Sequence, residues 1–246
     1  MWSYITENIS NGIRLLSVGL IPVVLVGYLV QECSRSIRQW LIACLGRTGF
    51  TYLTMPGVVI HELSHWCFCL IFQHKIVQVK LFAPQNDGTL GMVLHSYDSR
   101  NIFHRIGNFF IGSAPVWGGL LTMCIISRIL LPESLFSGVP AAQIAEFFST
   151  SLWSCWQSWL WFYLMLAIAA HISLSKADLR CAADGIGFLI MLPILLCVVL
   201  GWIGDWEEAL ISAVRLLLWQ LLIYSAIPVI CGGIIVRLGR ILSRQQ

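Results

Sequence analysis

Charge is scarce in this chain. Of 246 residues, 15 are Lys or Arg and 12 are Asp or Glu, so 11% are charged. Ordinary globular domains carry roughly 25%. A surface facing water on all sides cannot be built from so little. The basic residues form no dense run, and the formal charge is only +3, which excludes nucleic acid as a partner. Zinc-finger spacing is also missing. The nine cysteines are odd in number, and the closest pair, Cys67 and Cys69, is two residues apart. Neither a zinc finger nor a disulfide framework follows, and the cysteines read as small residues of membrane helices. The N-terminus has no basic run before its first apolar stretch, so that stretch reads as a retained helix rather than a cleaved signal.

Apolar length takes the place of charge. Hydrophobic residues make up 58% of the chain, and the mean hydropathy is +0.80. A spanning helix needs about 20 mostly apolar residues. Six stretches meet or approach that length: 13–31, 50–72, 105–131, 152–172, 185–204 and 209–236. The segment 37–45 is too short to span; it either extends the first helix or lies along the interface. The expected fold is therefore an all-α polytopic membrane protein, one integral domain over 1–246 with a core at 50–185 and flanking helices at 13–31 and 185–236.

One linker differs. Residues 76–82 alternate and are rich in β-branched side chains, 84–88 are turn-forming, and 90–95 are strand-like again. Together they predict a small membrane-associated β-hairpin after the second stretch. Its edge could accept an extended peptide.

Basic residues set the orientation. Lys75, Lys80 and Arg100, then Lys176 and Arg180, then Arg237, Arg240 and Arg244 fall on one side if six spans hold. The loops 132–150 and 205–208 have no Lys or Arg. Hairpin and C-terminus are then cytoplasmic. Arg35, Arg38 and Arg47 fall on the opposite side and do not fit. Trp153, Trp156, Trp159 and Trp161 read as an interfacial belt and helix packing.

The chemistry lies in the second stretch. His61-Glu62-Leu63-Ser64-His65 fits the H-E-x-x-H pattern. Residues four apart share a helix face, so both imidazoles reach one ion. Glu62 is turned part way round and stands beside a water on that ion without binding the ion. Zinc lowers the pKa of such a water to about 7, and Glu62 would take its proton and pass it to the leaving amine. Eleven residues, 50–60, precede His61 in its stretch, which is about 16 Å of helix. A charge at that depth costs roughly 2.5–3.5 kcal/mol, and a bound metal removes the difficulty.

A catalytic zinc needs a third protein ligand. Among Asp87, Asp98, Asp178, Asp184 and Asp205, Asp178 is the first choice and Asp184 the alternative, both just after the fourth stretch. His171 reads as a packing histidine, with a hydrogen bond to substrate or to an outer partner of the ligands as its second reading. His95 and His104 read as loop histidines, and His74 as no ligand. Gly112, Ser113, Ala114, Gly118 and Gly119 in the third stretch predict close packing on the metal-bearing helix, with Pro115 as a kink.

With these residues the chain resembles the site-2 protease family, zinc metalloproteases that cut peptide bonds inside membranes. The likeness rests on the His61–His65 motif in a membrane helix, the hairpin after it, and the acidic stretch two helices later. It covers about 50–185. The resemblance implies Zn2+ held by His61, His65 and either Asp178 or Asp184, with Glu62 as the catalytic base and the hairpin presenting substrate. The family's Asn-x-x-Pro…Leu-Asp-Gly signature is absent. Ala183-Asp184-Gly185 keeps Asp-Gly, but Lys176 and Leu179 stand at the Asn and Pro positions, and Ser175-Lys176-Ala177-Asp178 looks like the compact bacterial relatives. Implied with this are a bacterial inner membrane, a lipid bilayer around the chain and a membrane-anchored protein as substrate. The expected activity is zinc-dependent intramembrane endopeptidase. The alternatives are an inactive membrane regulator or binding subunit that keeps the zinc fold, and a metal transporter. No oligomeric state follows.

Overall fold

The computed structural model describes residues 2–136, 145–147, 149–200 and 212. The last expected span, apart from residue 212, and the end of the fifth fall outside them.

The first helix is much longer than one span. α1 runs Trp2–Leu53 and absorbs the 37–45 segment; it bends at Gly46, whose φ of 68° suits a residue without Cβ. The expected helix over 50–72 is in fact divided. Pro56 stands in the first turn of the next helix and has no N–H to give the preceding turn. The chain therefore breaks at Thr54, and α2 runs Met55–Ile71. Only residues 55–60 of α2 precede His61, about 9 Å of helix. That shortens the depth expected from an unbroken helix.

α2 ends in a Schellman motif. His74 N–H donates to Cys69 O at 2.8 Å and Gln73 N–H to Leu70 O at 3.1 Å. Gln73 takes the left-handed position (φ 56°) that Gly usually fills. The turn feeds the hairpin, β1 Lys75–Lys80 and β2 Met92–Ser96. The strands are antiparallel, pairing Val79 with Val93 and Lys80 with Met92, with a bulge between Ile76 and Gln78. Ala83 N–H to Leu90 O and Gln85 N–H to Thr89 O carry the ladder to the turn.

α3, Ile102–Leu130, continues through Pro115 as one helix. Among the described residues it is the one helix long and apolar enough to cross a membrane; α2 is apolar but shorter. Leu121, Ile125 and Ile129, four apart, are exposed along one face of α3. A short turn α4, Thr150–Trp153, precedes α5, Trp156–Ala169. α6, Lys176–Leu200, begins nine residues before the expected 185.

α3 lies between α2 and α6, α5 packs on α2 and α3, and α1 lies along α6. Ile37, Leu120, Met123, Met165, Ile168 and Ile172 form the centre of the described core. Trp161 is part of that core, its indole N–H donating to Ser127 Oγ at 2.8 Å. Trp156 and Trp159 are exposed. Of the small residues of α3, Gly118 packs on the metal-bearing helix as expected, while Gly112 packs on α6 and Gly119 on Ile168 and Ile172. A Cβ on Gly118 would stand 1.9 Å from Ser64 Oγ on α2, and one on Gly112 2.4 Å from Asp178 O on α6. Without side chains there, both neighbours close on α3.

Candidate metal centre

His61 and His65 come from α2, and Asp178 from the first turn of α6. His65 Nε2 lies 3.3 Å from His61 Nε2 and 3.3 Å from Asp178 Oδ1, and His61 Nε2 lies 3.8 Å from Asp178 Oδ2. Among the described residues these three form the one His/Cys/Asp/Glu group that could hold a metal ion. Asp184, the alternative ligand, is exposed further along α6 and outside the group. Asp87 and Asp98 accept backbone N–H groups of the hairpin region, from Thr89 and Arg100. Asp205 lies outside the described residues.

Hydrogen bonds fix both imidazole tautomers. His61 Nδ1 stands 2.7 Å from His171 O, and His65 Nδ1 2.8 Å from Ile111 O. A carbonyl only accepts, so each Nδ1 carries the proton and donates. Each Nε2 then presents a lone pair, and the two lone pairs face one another beside a carboxylate. With neutral imidazoles these are three acceptors converging at one point, an arrangement that suits a cation. The spacing fits zinc. Ligands about 2.1 Å from a tetrahedral ion stand about 3.4 Å apart, close to the separations above. Zn2+ in this site therefore fits the donor set.

Asp178 is aimed by a capping box. Ser175 N–H donates to Asp178 Oδ2 at 2.7 Å, and Asp178 N–H to Ser175 Oγ at 3.1 Å. One carboxylate oxygen holds the helix start, and the other faces His65. The preceding loop is tied to α1. Gln31 pairs with Leu174 in both directions, donating to its O at 3.3 Å and accepting its N–H at 2.9 Å. Arg38 donates to Ser173 Oγ. The loop 171–175 thus carries the outer partner of one ligand at its start and the cap of another at its end.

His171 has two roles. Thr54 Oγ1 donates to Phe50 O, so it accepts from His171 Nε2–H at 2.8 Å. The ring also stacks on Phe50, with centroids 5.3 Å apart. The ring is thus a satisfied packing group, and the backbone carbonyl holds His61.

Glu62 is buried and lines a cleft of about 1090 Å³ together with His61, His65, Asp178 and the hairpin. The hairpin lies directly on it. A Cβ on Gly91 would fall 2.5 Å from Glu62 Cγ and 2.9 Å from Leu81 O.

Three other histidines cluster outside the centre. Buried His74 donates from Nε2 to His104 O at 3.0 Å, and its Nδ1 lies 3.0 Å from His95 Nδ1. Tyr97 stacks on His74 at 5.1 Å. Burial, with His74 adjacent, pushes the His95 imidazole down to about 4, and burial lowers His74. Both are neutral near pH 7, and His95 Nδ1–H donates to His74. His95 and His104, expected in loops, stand instead in β2 and in the first turn of α3, and with His74 they fasten the hairpin to the ends of α2 and α3. Sequence spacing alone gave no sign of this.

The chain matches no protein-family model, no curated protein and no solved structure.

Proposed function

We propose that the chain is an intramembrane zinc endopeptidase that hydrolyses a peptide bond in or near a membrane segment of an anchored protein. One observation carries this reading. Two imidazole lone pairs and a carboxylate converge at metal-ligand spacing, with a buried glutamate next in sequence to one of them, in a cleft large enough for a peptide.

Bound zinc would polarise the scissile carbonyl and acidify water. The remaining work falls to this chain's own residues. Glu62 takes a proton from the attacking water as its oxygen bonds to the carbonyl carbon. It gives that proton to the nitrogen as the C–N bond breaks. The hairpin supplies the peptide platform, because in a two-stranded sheet each strand has one unpaired edge. An extended substrate can pair there once its helix unwinds. His171 O and Ile111 O keep both ligand imidazoles in the metal-binding tautomer.

The exposed apolar face of α3 supports a bilayer setting, since Leu121, Ile125 and Ile129 gain nothing from water. We read the chain as polytopic, with the hairpin on the cytoplasmic side of a bacterial inner membrane. A transporter would need ligands along a path. Among the described residues there is one such group, which favours a fixed ion.

The test is a panel of single-span membrane proteins incubated with the purified chain, first stripped of metal and then reloaded with zinc. Products should form only with zinc, and mass spectrometry should place the cut in or beside the span. A chain that binds zinc stoichiometrically and cuts no member of a broad panel would favour the regulator reading.

A further inference from the structure

Three arginines of α1 do not fit the positive-side pattern. Arg35 is accounted for locally, with Nη1 2.6 Å from Glu32 Oε1. Arg38 and Arg47 instead both line the cleft of the metal centre. Arg38 is half-buried. Its one hydrogen-bond partner among the described residues is Ser173 Oγ. No described carboxylate lies within 4.0 Å of it.

One hydroxyl serves one of the five N–H donors of the guanidinium, and no other Arg38 nitrogen is both buried and unpartnered, so the remaining donors are open to a ligand in the cleft. The placement is specific. Ser173 stands two residues after His171, whose carbonyl holds His61. Arg38 is therefore anchored beside the ligands and not at the outer end of the cleft. Charge balance points the same way. The cleft is lined by Arg38 and Arg47 against the carboxylates of Glu62, Asp87 and Asp178. A divalent ion on the ligands turns a net negative lining into one with a net positive charge.

We propose that Arg38 is a carboxylate-binding residue of the substrate cleft, so that the peptide accepted beside the metal centre bears an acidic side chain or a chain-terminal carboxylate. This rests on the reading of the cleft as a peptide site. Arg38 offers a planar fork that matches a carboxylate in two parallel hydrogen bonds, and Ser173 fixes its orientation. Arg47, which also lines the cleft, adds long-range attraction. Arg38 determines specificity and takes no part in the bond-breaking step.

The test uses the full-length, zinc-loaded Glu62→Gln protein in detergent and decapeptide pools that carry an uncharged BODIPY fluorophore. The pools are amidated and differ at one central position: Asp, Asn or Lys. A fourth pool keeps Asn at that position and has a free C-terminal carboxylate. Anisotropy titration should show the Asp pool, the free-carboxylate pool or both binding about tenfold or more tighter than the amidated Asn pool. Whichever does so identifies the source of the carboxylate. The advantage should fall to about twofold or less in Arg38→Gln and pass to the Lys pool in Arg38→Glu. Equal binding of the Asp, Asn and free-carboxylate pools would overturn the proposal, as would binding by none of them or a preference that survives Arg38→Gln. The first comparison needs no Arg38 variant, so misfolding of a variant cannot hide the answer. Cleavage of the same pools by the Glu62-intact protein is followed in parallel. Carboxylate preference without Glu62-dependent cleavage sinks the peptidase reading alone, and cleavage without preference sinks the Arg38 proposal alone.

Discussion

Asp178 and Ser175 hold one another. The carboxylate accepts the Ser175 N–H through Oδ2 at 2.7 Å while Oδ1 stands 3.3 Å from His65 Nε2. A helix-capping group and a candidate metal ligand are thereby the same side chain. Asp178→Ala should remove zinc from the purified protein, while Asp184→Ala should leave one zinc per chain. Ser175→Ala keeps the N–H that holds Oδ2 and loses only the hydroxyl that caps the Asp178 N–H, so it should weaken zinc binding by less than about tenfold. Zinc retained in Asp178→Ala but lost in Asp184→Ala would reverse the assignment.

Gln31 lies far from the ligands in sequence and is linked to them through Leu174. Gln31→Leu should lower zinc affinity by about tenfold. The same change in an Asp178→Ala background should have little further effect on the weak metal binding that remains. Titration against a competing zinc chelator gives both values. Equal losses in the two backgrounds would make Gln31 a general structural residue.

Gly112 keeps α3 against the backbone of α6, where an added Cβ would lie 2.3 Å from Ala182 N and 2.4 Å from Asp178 O. Backbone atoms cannot swing aside as a flexible side chain can. Gly112→Ala should cost about 1–3 kcal/mol of stability and also weaken zinc binding, because it displaces Asp178. Thermal melts with and without zinc measure the two effects.

How far this centre can be seen in the sequence depends on how local each signal is. His61, Glu62 and His65 show themselves through helical spacing. The hairpin shows itself because alternation and turn residues are local features. Asp178 and Asp184 both follow the fourth stretch, and what separates them is the helix start at Lys176, where Asp178 pairs with Ser175. The break at Thr54 hid inside a mostly apolar run, marked by Thr54 itself and by Pro56. The His171 carbonyl, the Gln31–Leu174 pair and the His74–His95 contact join residues through the fold. No periodicity within one segment encodes them.

Acid should loosen the hairpin. The His95–His74 contact holds one proton between two Nδ1 atoms, and His95 is depressed from 6.5 to about 4. A histidine depressed on folding contributes stability that is fully present above about 6.5 and is lost as pH falls toward about 4. The zinc-free melting temperature should therefore drop between pH 7 and pH 4.5, and drop less in His95→Gln. An identical pH profile in the variant would remove His95 from the explanation.

We propose Glu62 as the base at a zinc centre built from His61, His65 and Asp178. The most direct measurement is the cleavage rate of one substrate by wild type and Glu62→Gln, each shown to carry one zinc. A loss of about 10²–10⁴-fold is expected with metal content unchanged. Equal rates at equal zinc content would contradict it.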